Sequence, residues 1–428
     1  MAEDIVYIDP RKPETKTHKR LVAGEQFEEG GMSLLLEAID TNLMRKIAMK
    51  VLRDNNKKDE HELSRMVVEA QVTAQLDHPN IIPIYELGID RQKRLFFTMK
   101  KVRGKALYEL ISQKDLAARS EKDIFRLIRI MLKVCDAVSY AHNKGVIHRD
   151  LKPDNIMVGD FGQVYLMDWG IARIKGSAES AIEKMNLPEI RKRKKYNIRE
   201  EEKGNVLGTP CYMSPEQALG DLGAIDERSD IFSLGAILYE ILTGEFPIPG
   251  DSLLDMVNNA KKGEVQPPNE RVDFPLPIGL VRITMKAMSR NPEDRYQSVE
   301  ELKGDLESFL EGSERFPGRT YRPGDMIVRE GDHGDEAYII RAGECRAFKE
   351  INGEKVELRI MKTGDVFGET AILTNKTRSA SVEAVNNVTV AVVKSRYFEE
   401  ELDTGTWLGP FIRALAERFR EADQRANG

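Results

Sequence analysis

The chain has 428 residues, of which 41% are hydrophobic and 32% are charged, and its formal net charge is -6. This length exceeds one ordinary domain core, so we expect a multidomain protein. The composition is typical of a soluble globular protein and lacks the basic excess that nucleic-acid binding requires, so nucleic acid is not an expected partner.

The cysteines and the N-terminus indicate the compartment. Cys135, Cys211 and Cys345 lie far apart in the sequence and show no metal-binding or redox spacing. The N-terminus lacks a basic start followed by an apolar run, and the longest apolar stretch, residues 232–242, is interrupted by Ser, Gly and Glu. The sequence therefore predicts a cytoplasmic protein with no membrane insertion.

The predicted elements change character along the chain. Residues 1–18 show no sustained period and predict a flexible arm. Residues 19–101 alternate short apolar runs with turns and contain one helical stretch, residues 60–76, which predicts a small sheet-rich lobe. Helical periodicity then dominates and predicts a larger lobe over residues 102–312, with a long exposed loop at residues 176–204.

A second domain is predicted over residues 313–428, after a short linker at about residues 311–319. Short alternating runs recur between Gly-Asp turns and are followed by a helical pattern at residues 408–422. This order predicts a β-roll with a C-terminal helix, and the whole chain is predicted to be an α+β multidomain protein.

The strongest chemical signal is the run His148-Arg-Asp-Leu-Lys-Pro-Asp-Asn155, which is followed by Asp168-Trp-Gly170. It resembles the catalytic loop and the metal-binding Asp-Phe-Gly motif of protein kinases, with Trp in place of Phe. The resemblance implies that Asp150 accepts or orients the proton of a substrate hydroxyl and that Asn155 and Asp168 hold Mg²⁺. It also implies that Lys152 lies near the transferring phosphate, which favours serine and threonine as acceptors.

Further motifs extend this resemblance over residues 21–310. Lys50 on a predicted strand resembles the lysine that binds the α- and β-phosphates of ATP, and Glu69 on the next helix matches its ion-pair partner. Gly208-Thr-Pro210 again favours serine and threonine, and Glu216 is expected to pair with Arg295. The resemblance implies a bilobal protein-kinase fold that phosphorylates protein substrates.

The adenine of ATP is expected to lie beside Met99 as gatekeeper and to bond to backbone groups of Lys100 and Val102. These roles come from the family resemblance, because the run Phe96-Phe-Thr-Met99 by itself predicts only a buried strand.

The phosphate-binding loop departs from the kinase pattern. The positions of its three glycines and its valine fall on Glu28, Gly30, Ser33 and Leu35. Gly30 and the neighbouring Gly31 still allow backbone amides to face phosphates, so we expect weakened ATP affinity and retained chemistry. A pseudokinase that keeps the catalytic residues without activity is the alternative.

The predicted activation segment carries charged runs. Arg149 precedes the catalytic aspartate, which in kinases implies an anion that orders this segment. Our hypothesis is that Glu201 or Glu202 serves as this anion, and the alternative is a solvated acidic loop. The basic run at residues 191–195 either docks an acidic partner or is simply exposed.

A second constellation, Phe367-Gly-Glu-Thr-Ala-Ile-Leu373 with Arg378-Ser-Ala-Ser-Val382, resembles the phosphate-binding cassette of cyclic-nucleotide-binding domains. The resemblance implies that Glu369 accepts a hydrogen bond from the ribose 2′-hydroxyl and that Arg378 binds the cyclic phosphate. Backbone amides at a short helix start complete the predicted anion site, with Gly368, Thr370 and Ala371. A cupin-like or purely structural β-roll is the alternative.

The base of the nucleotide stays open between cGMP and cAMP. Ser379 and Arg359 stand where cGMP-selective domains place guanine-binding residues, although a serine at this position also occurs in cAMP-binding relatives. Trp407 and Phe411 are candidates to stack on the base and are alternatively core residues.

The sequence thus predicts an ATP- and Mg²⁺-dependent serine/threonine kinase that is regulated by a cyclic nucleotide. Protein substrates and the cyclic nucleotide are the expected partners, and a homodimer is left open. Two alternatives remain: a pseudokinase scaffold that senses cyclic nucleotide, and a constitutive kinase whose C-terminal domain only docks partners.

Overall fold

The computed structural model describes residues 4–9, 12–19, 21–29, 33–53, 60–112, 121–174, 208–274, 276–316, 318–351, 353–374 and 376–395. These residues fall into two compact units, one within residues 1–266 and 283–304 and the other within residues 267–282 and 305–428. Both helices and strands build the chain, which confirms the predicted α+β class. In the described part of the chain, no helix combines the length and the apolar character needed to cross a bilayer.

The first two strands form an antiparallel hairpin of β1 (Asp4–Asp9) and β2 (Lys12–Lys19). The hairpin lies in the segment of residues 1–18 for which the sequence predicts a flexible arm, and that flexibility stays a prediction. The β-branched and aromatic residues of the run Ile5-Val-Tyr-Ile8 favour a strand. Pro13 is tolerated because neither strand pairs with a second strand among the described residues.

The small lobe consists of a five-stranded antiparallel sheet and one long helix. Its elements are β3 (Leu21–Glu29), β4 (Ser33–Asp40), β5 (Arg45–Leu52), α1 (Glu60–Gln75), β6 (Ile84–Ile89) and β7 (Leu95–Lys100). The strands lie in the order β3-β4-β5-β7-β6. The helix confirms the prediction for residues 60–76.

Alternation along β5 orients the residues of the small lobe. Ile47, Met49 and Val51 are buried in one core cluster, whereas Ala48 and Leu52 are buried in the cluster that includes residues of α1. Successive side chains of a strand point to opposite faces, so Lys50 shares the face of Ala48 and Leu52 and points towards α1.

Short strands and longer helices follow. The strands β8 (Gly104–Ala106), β10 (Ile156–Gly159) and β11 (Val164–Leu166) form one small sheet, and β9 (Val146–Ile147) and β12 (Arg173–Ile174) form another. The run of residues 148–155 lies between β9 and β10, and Asp168 follows β11. The helices are α2 (Leu107–Ser112), α3 (Glu121–Asn143), α4 (Pro215–Ala218), α5 (Glu227–Thr243), α6 (Leu253–Lys262), α7 (Pro268–Arg271), α8 (Ile278–Ala287) and α9 (Val299–Arg315).

The last of these helices is longer than expected. We predicted a linker from about residue 311, but α9 continues to Arg315, and the next strand already begins at Gly318. Little of the predicted linker therefore lacks regular structure.

The second unit contains two four-stranded antiparallel sheets, in the orders β13-β20-β15-β18 and β14-β19-β16-β17, which confirms the predicted β-rich domain. Their inward side chains form one core that includes Ile340, Cys345, Val388 and Val390. The predicted C-terminal helix at residues 408–422 lies outside the described residues. The elements are β13 (Gly318–Tyr321), β14 (Met326–Val328), β15 (Glu336–Ala342), β16 (Cys345–Ile351), β17 (Glu354–Met361), β18 (Val366–Phe367), α10 (Glu369–Thr374), β19 (Ser381–Ala384) and β20 (Val388–Lys394).

Candidate functional site

A buried ion pair joins the sheet of the small lobe to its helix. Lys50 Nζ on β5 lies 2.6 Å from Glu69 Oε1 and 2.8 Å from Oε2 on α1. Both side chains line a cavity of about 330 Å³ that also reaches Asp150 and Asp168. The structure thus brings the predicted phosphate-binding lysine, its partner, the predicted catalytic Asp150 and the predicted metal ligand Asp168 to one cavity.

Charge and burial shift the pKa values of two acids in this cavity, Glu69 and Asp168, in opposite directions. Burial raises the pKa of Glu69 to about 7, with Lys50 opposing the rise and Asp168 adding to it. The Lys50 ammonium lowers the pKa of Asp168 against the effect of burial, with help from His148 and Lys152. Asp168 is therefore ionised at neutral pH, as a metal ligand must be.

The proton-accepting group predicted from the sequence lies in a triangle of polar side chains. Asp150 Oδ1 accepts hydrogen bonds from the backbone N–H of Thr209 at 3.0 Å and from its hydroxyl at 2.9 Å. Lys152 Nζ lies 3.1 Å from Asp150 Oδ2 and donates to Thr209 Oγ1 at 3.0 Å. Gly208, with φ of 118°, permits this close approach, because a side chain there would crowd the Arg149 carbonyl.

The residues predicted to hold Mg²⁺ have suitable chemistry. Asn155 Nδ2 donates to the Asp150 carbonyl at 2.9 Å, which leaves its amide oxygen for a cation. Asp168, which follows β11, supplies an ionised carboxylate. Mg²⁺ in phosphate-transfer sites takes one or two protein oxygens and completes its shell with water and phosphate, so this pair of ligands suffices.

Buried hydrogen bonds fix the backbone of the catalytic loop. Asp230 on α5 is fully buried, and its carboxylate accepts from the backbone N–H groups of His148 at 2.8 Å and Arg149 at 2.9 Å. His142 Nε2 lies 2.7 Å from the same carboxylate. Trp169, in the place of the usual Phe, is completely buried with its ring centre 4.5 Å from that of His148. The loop is therefore anchored to α3 and α5.

Glu216 and Arg295 form the predicted pair in full. Arg295 donates from Nη1 and Nη2 to the two carboxylate oxygens of Glu216 at 2.7 and 2.9 Å, and Ser229 adds a third bond. Burial acts to raise the pKa of Glu216, but these bonds outweigh it and lower that pKa.

We expect Arg295→Met to lower the free energy of unfolding of the first unit by about 3–5 kcal/mol, because the substitution leaves the buried carboxylate of Glu216 without its partner. The control is Lys303→Met, which breaks the more exposed pair with Asp136 and should cost at most about 1 kcal/mol. Urea denaturation followed by circular dichroism measures both. Adding Glu216→Gln to Arg295→Met should recover part of the lost free energy of unfolding. Equal losses in Arg295→Met and Lys303→Met would contradict a larger contribution from the buried Glu216–Arg295 pair.

The expected adenine site is apolar, and one of its predicted groups is already occupied. Met99 is buried in a cluster with Ala48, against which Leu35, Val102 and Met167 pack. The backbone N–H of Lys100 donates to the Pro83 carbonyl at 3.1 Å, so a bond from Lys100 to adenine could use only its carbonyl. Gly30, Gly31, Glu201, Glu202 and residues 191–195 lie outside the described residues.

In the second unit, Arg378 is a buried cation. Its guanidinium donates to the carbonyls of Gly368 at 2.7 Å and Glu336 at 2.6 Å, and it forms no salt bridge within the part of the chain that the structure describes. Gly334 makes room for it, since a side chain there would collide with the guanidinium. A buried charge without a counter-ion is costly, so this site favours an anionic ligand.

The adjoining helix start presents an acceptor. Glu369 at the first position of α10 receives a hydrogen bond from the Thr370 hydroxyl on Oε1, whereas its Oε2 is buried without a hydrogen-bond donor among the described residues. A buried carboxylate oxygen that lacks a donor matches a ligand hydroxyl. Gly368 and Ala371 lie at the same helix start, as predicted.

The two residues predicted to contact guanine, Ser379 and Arg359, are exposed in the structure. Ser379 is exposed, and Arg359 on β17 donates to Asp365 at 2.9 Å in an exposed pair. Trp407 and Phe411 lie outside the described residues.

Comparison with known proteins agrees with this geometry. The family model of the protein kinase domain matches residues 22–303, and that of the cyclic nucleotide-binding domain matches residues 318–404. The chain belongs to the protein kinase family. Within it, the chain is similar to serine/threonine-protein kinases PknD: it is 37% identical to that of Protochlamydia amoebophila over 292 residues, and 33% and 34% identical to those of Chlamydia felis and Chlamydia trachomatis over 303 and 300 residues.

These kinase relatives are much longer than the present chain. The matched segments make up 66–68% of this chain but only 29–31% of the relatives. The chain thus spans about a third of their length, and the matched segments correspond in extent to a kinase domain.

Two functional contacts of this kinase were missed by sequence reasoning. The Gly-Thr-Pro motif predicts only acceptor preference, yet Thr209 bridges Asp150 and Lys152. Glu336, whose carbonyl binds Arg378, carried no signal in the sequence, because any residue supplies a carbonyl.

Proposed function

We propose that this chain transfers the γ-phosphate of ATP to serine and threonine side chains of proteins, with Mg²⁺, and that a cyclic nucleotide on residues 313–428 regulates the reaction. The observation that best supports the proposed kinase activity is the triangle of Asp150, Lys152 and Thr209 beside the Lys50–Glu69 pair. Cys135, Cys211 and Cys345 are buried and form no disulfide with one another, which is consistent with action in the cytoplasm.

Each residue has a role in this proposal. Lys50 binds the α- and β-phosphates and is oriented by Glu69, while Asp150 accepts the proton of the acceptor hydroxyl. Lys152 neutralises charge at the transferring phosphate. Asp168 and Asn155 hold Mg²⁺, which when bound neutralises negative charge on the phosphates.

A regulatory cyclic nucleotide is supported by Arg378 and Glu369. The buried guanidinium, which has no carboxylate partner among the described residues, suits the cyclic phosphate, and the buried Oε2 of Glu369 suits the ribose hydroxyl. A ligand can shift the kinase between states only by its differential affinity for them, so a change in rate of about 5- to 150-fold is a reasonable expectation.

The test of the kinase activity is transfer of labelled γ-phosphate to a generic basic protein, followed by phosphoamino-acid analysis. Label on phosphoserine or phosphothreonine that disappears in Lys50→Met supports the proposal. No transfer by the wild-type chain, together with unimpaired binding of cyclic nucleotide, would favour the scaffold that senses cyclic nucleotide without catalysis.

We also expect a pH dependence from Glu69. Its pKa is raised to about 7, so below this pH the carboxyl becomes neutral and no longer offsets the charge of Lys50. The value of kcat/KM for ATP should therefore fall as the pH decreases through about 7, and in Glu69→Gln this step should be absent and the rate lower throughout. Glu62→Gln on the same helix is the control; a step that persists in Glu69→Gln would assign it to another group.

A further inference from the structure

An exposed aromatic side chain lies at the tip of the β10–β11 turn. Phe161 is 91% exposed, although large apolar side chains are usually at least partly covered. The turn is held on both sides: the N–H of Asp160 donates to the Arg103 carbonyl at 3.0 Å, and Lys133 Nζ donates to the Gly162 carbonyl at 2.7 Å. Phe161 is therefore presented by a fixed turn.

Cations flank this turn. Lys122, Arg126 and Lys133 are exposed on α3, and their spacing of four and seven residues places them on one face. On the other side of the turn, Arg103 and Lys105 are exposed at β8, which pairs with β10. Within the described ranges, none of these five cations forms a salt bridge with a carboxylate. The nearest exposed acid in sequence to Phe161 is Asp160 on the same turn.

We infer that this surface, formed by Phe161 and the cations of α3 and β8, docks an acidic extended segment of the kinase's protein substrates. Four residues of a helix rise about 6 Å, close to the roughly 6.6 Å between alternate side chains of an extended chain. Alternating acidic side chains can therefore meet Lys122 and Arg126, which are four residues apart, while an apolar side chain of the same segment covers Phe161. The identity of the partner as a substrate rests on the proposed kinase function; the binding itself does not.

A protein segment fits this surface better than a membrane does. Membrane-binding surfaces insert several apolar side chains, whereas the β10–β11 turn exposes one, Phe161, and the apolar face of α3, with Ile128, Met131 and Val134, is buried in the protein. The net charge of -6 also opposes adsorption of the whole chain to an anionic bilayer, while a short peptide responds to the local cations.

The test uses the full chain and a fluorescent peptide, Glu-Ala-Glu-Leu-Glu-Ala-Glu, with binding followed by anisotropy. Phe161→Ser combined with Arg126→Glu should weaken binding at least about tenfold, equivalent to about 1.4 kcal/mol. The matched control combines Leu43→Ser with Lys261→Glu, which changes an exposed apolar residue and an exposed cation elsewhere, and should bind as the wild type does.

Three outcomes would overturn the inference. The first is that the control variant binds the peptide as weakly as the double variant does. The second is that the wild-type chain binds a peptide with Ser in place of Leu and Ala as tightly as the original peptide. The third is that the double variant still binds the peptide but no longer binds vesicles of equal parts phosphatidylcholine and phosphatidylserine. A chain that binds the peptide through Phe161 but transfers no phosphate would refute the kinase proposal and leave the docking surface standing.

Discussion

Asp150→Asn is expected to lower kcat for phosphoryl transfer by about 10²- to 10⁴-fold, the usual contribution of a positioned general base. In the structure, Oδ1 of Asp150 accepts two hydrogen bonds from Thr209, and Oδ2 lies 3.1 Å from Lys152. An amide keeps the shape but cannot take a proton, and it presents either a neutral oxygen or an N–H group to Lys152. The loss should therefore appear in kcat, measured as the initial rate at saturating ATP.

The matched control for this prediction is Asp154→Asn. Asp154 belongs to the same loop but is exposed, so its substitution should leave kcat within about twofold, as expected of a surface change. Circular dichroism and binding of a fluorescent ATP analogue should show that both variants are folded and bind nucleotide. If Asp150→Asn and Asp154→Asn had the same kcat, Asp150 would not be the proton acceptor.

Arg378→Ala should weaken binding of cyclic nucleotide by about 10²- to 10³-fold, because truncating one partner of a buried charged pair costs about 2–5 kcal/mol. Isothermal titration calorimetry with cAMP and with cGMP measures this loss. Arg378 also bonds to the carbonyls of Gly368 and Glu336, so its removal could loosen the domain. Glu369→Gln provides a second variant, which keeps the shape of the site and should weaken binding about tenfold through loss of a charged acceptor.

Arg359→Ala is the control for the second unit. Because Arg359 lies in an exposed pair with Asp365, we expect little change in cAMP affinity. A selective loss of cGMP affinity in this variant would support the predicted contact with guanine. Wild-type affinity in both Arg378→Ala and Glu369→Gln would contradict the proposed ligand site.

The chemistry of the kinase site could be predicted from the sequence because its groups come in short motifs with fixed spacing. The family resemblance predicts the pairing of Lys50 with Glu69, and the structure shows the two side chains in contact. The pairing of Arg295 with Glu216, which are far apart in the sequence, was accessible only through the resemblance.

Other features of the two sites depend on contacts that no sequence motif predicts. The N–H of Lys100 is taken by the Pro83 carbonyl, and Arg378 is held by two carbonyls; backbone partners leave no mark in the sequence. The raised pKa of Glu69 comes mainly from burial, which is a property of the packed lobe. The extension of α9 to Arg315 was missed because Gly312 and Ser313 are weak helix formers on their own.

The most direct test of the account is the initial rate of γ-phosphate transfer to serine and threonine of a basic protein, with and without saturating cAMP or cGMP. For the wild-type chain we predict transfer whose rate changes by about 5- to 150-fold with one of the nucleotides, and for Arg378→Ala no such change. A wild-type rate that is the same with either nucleotide and without them would contradict regulation, and a wild-type chain that transfers no phosphate under any of these conditions would contradict the kinase itself.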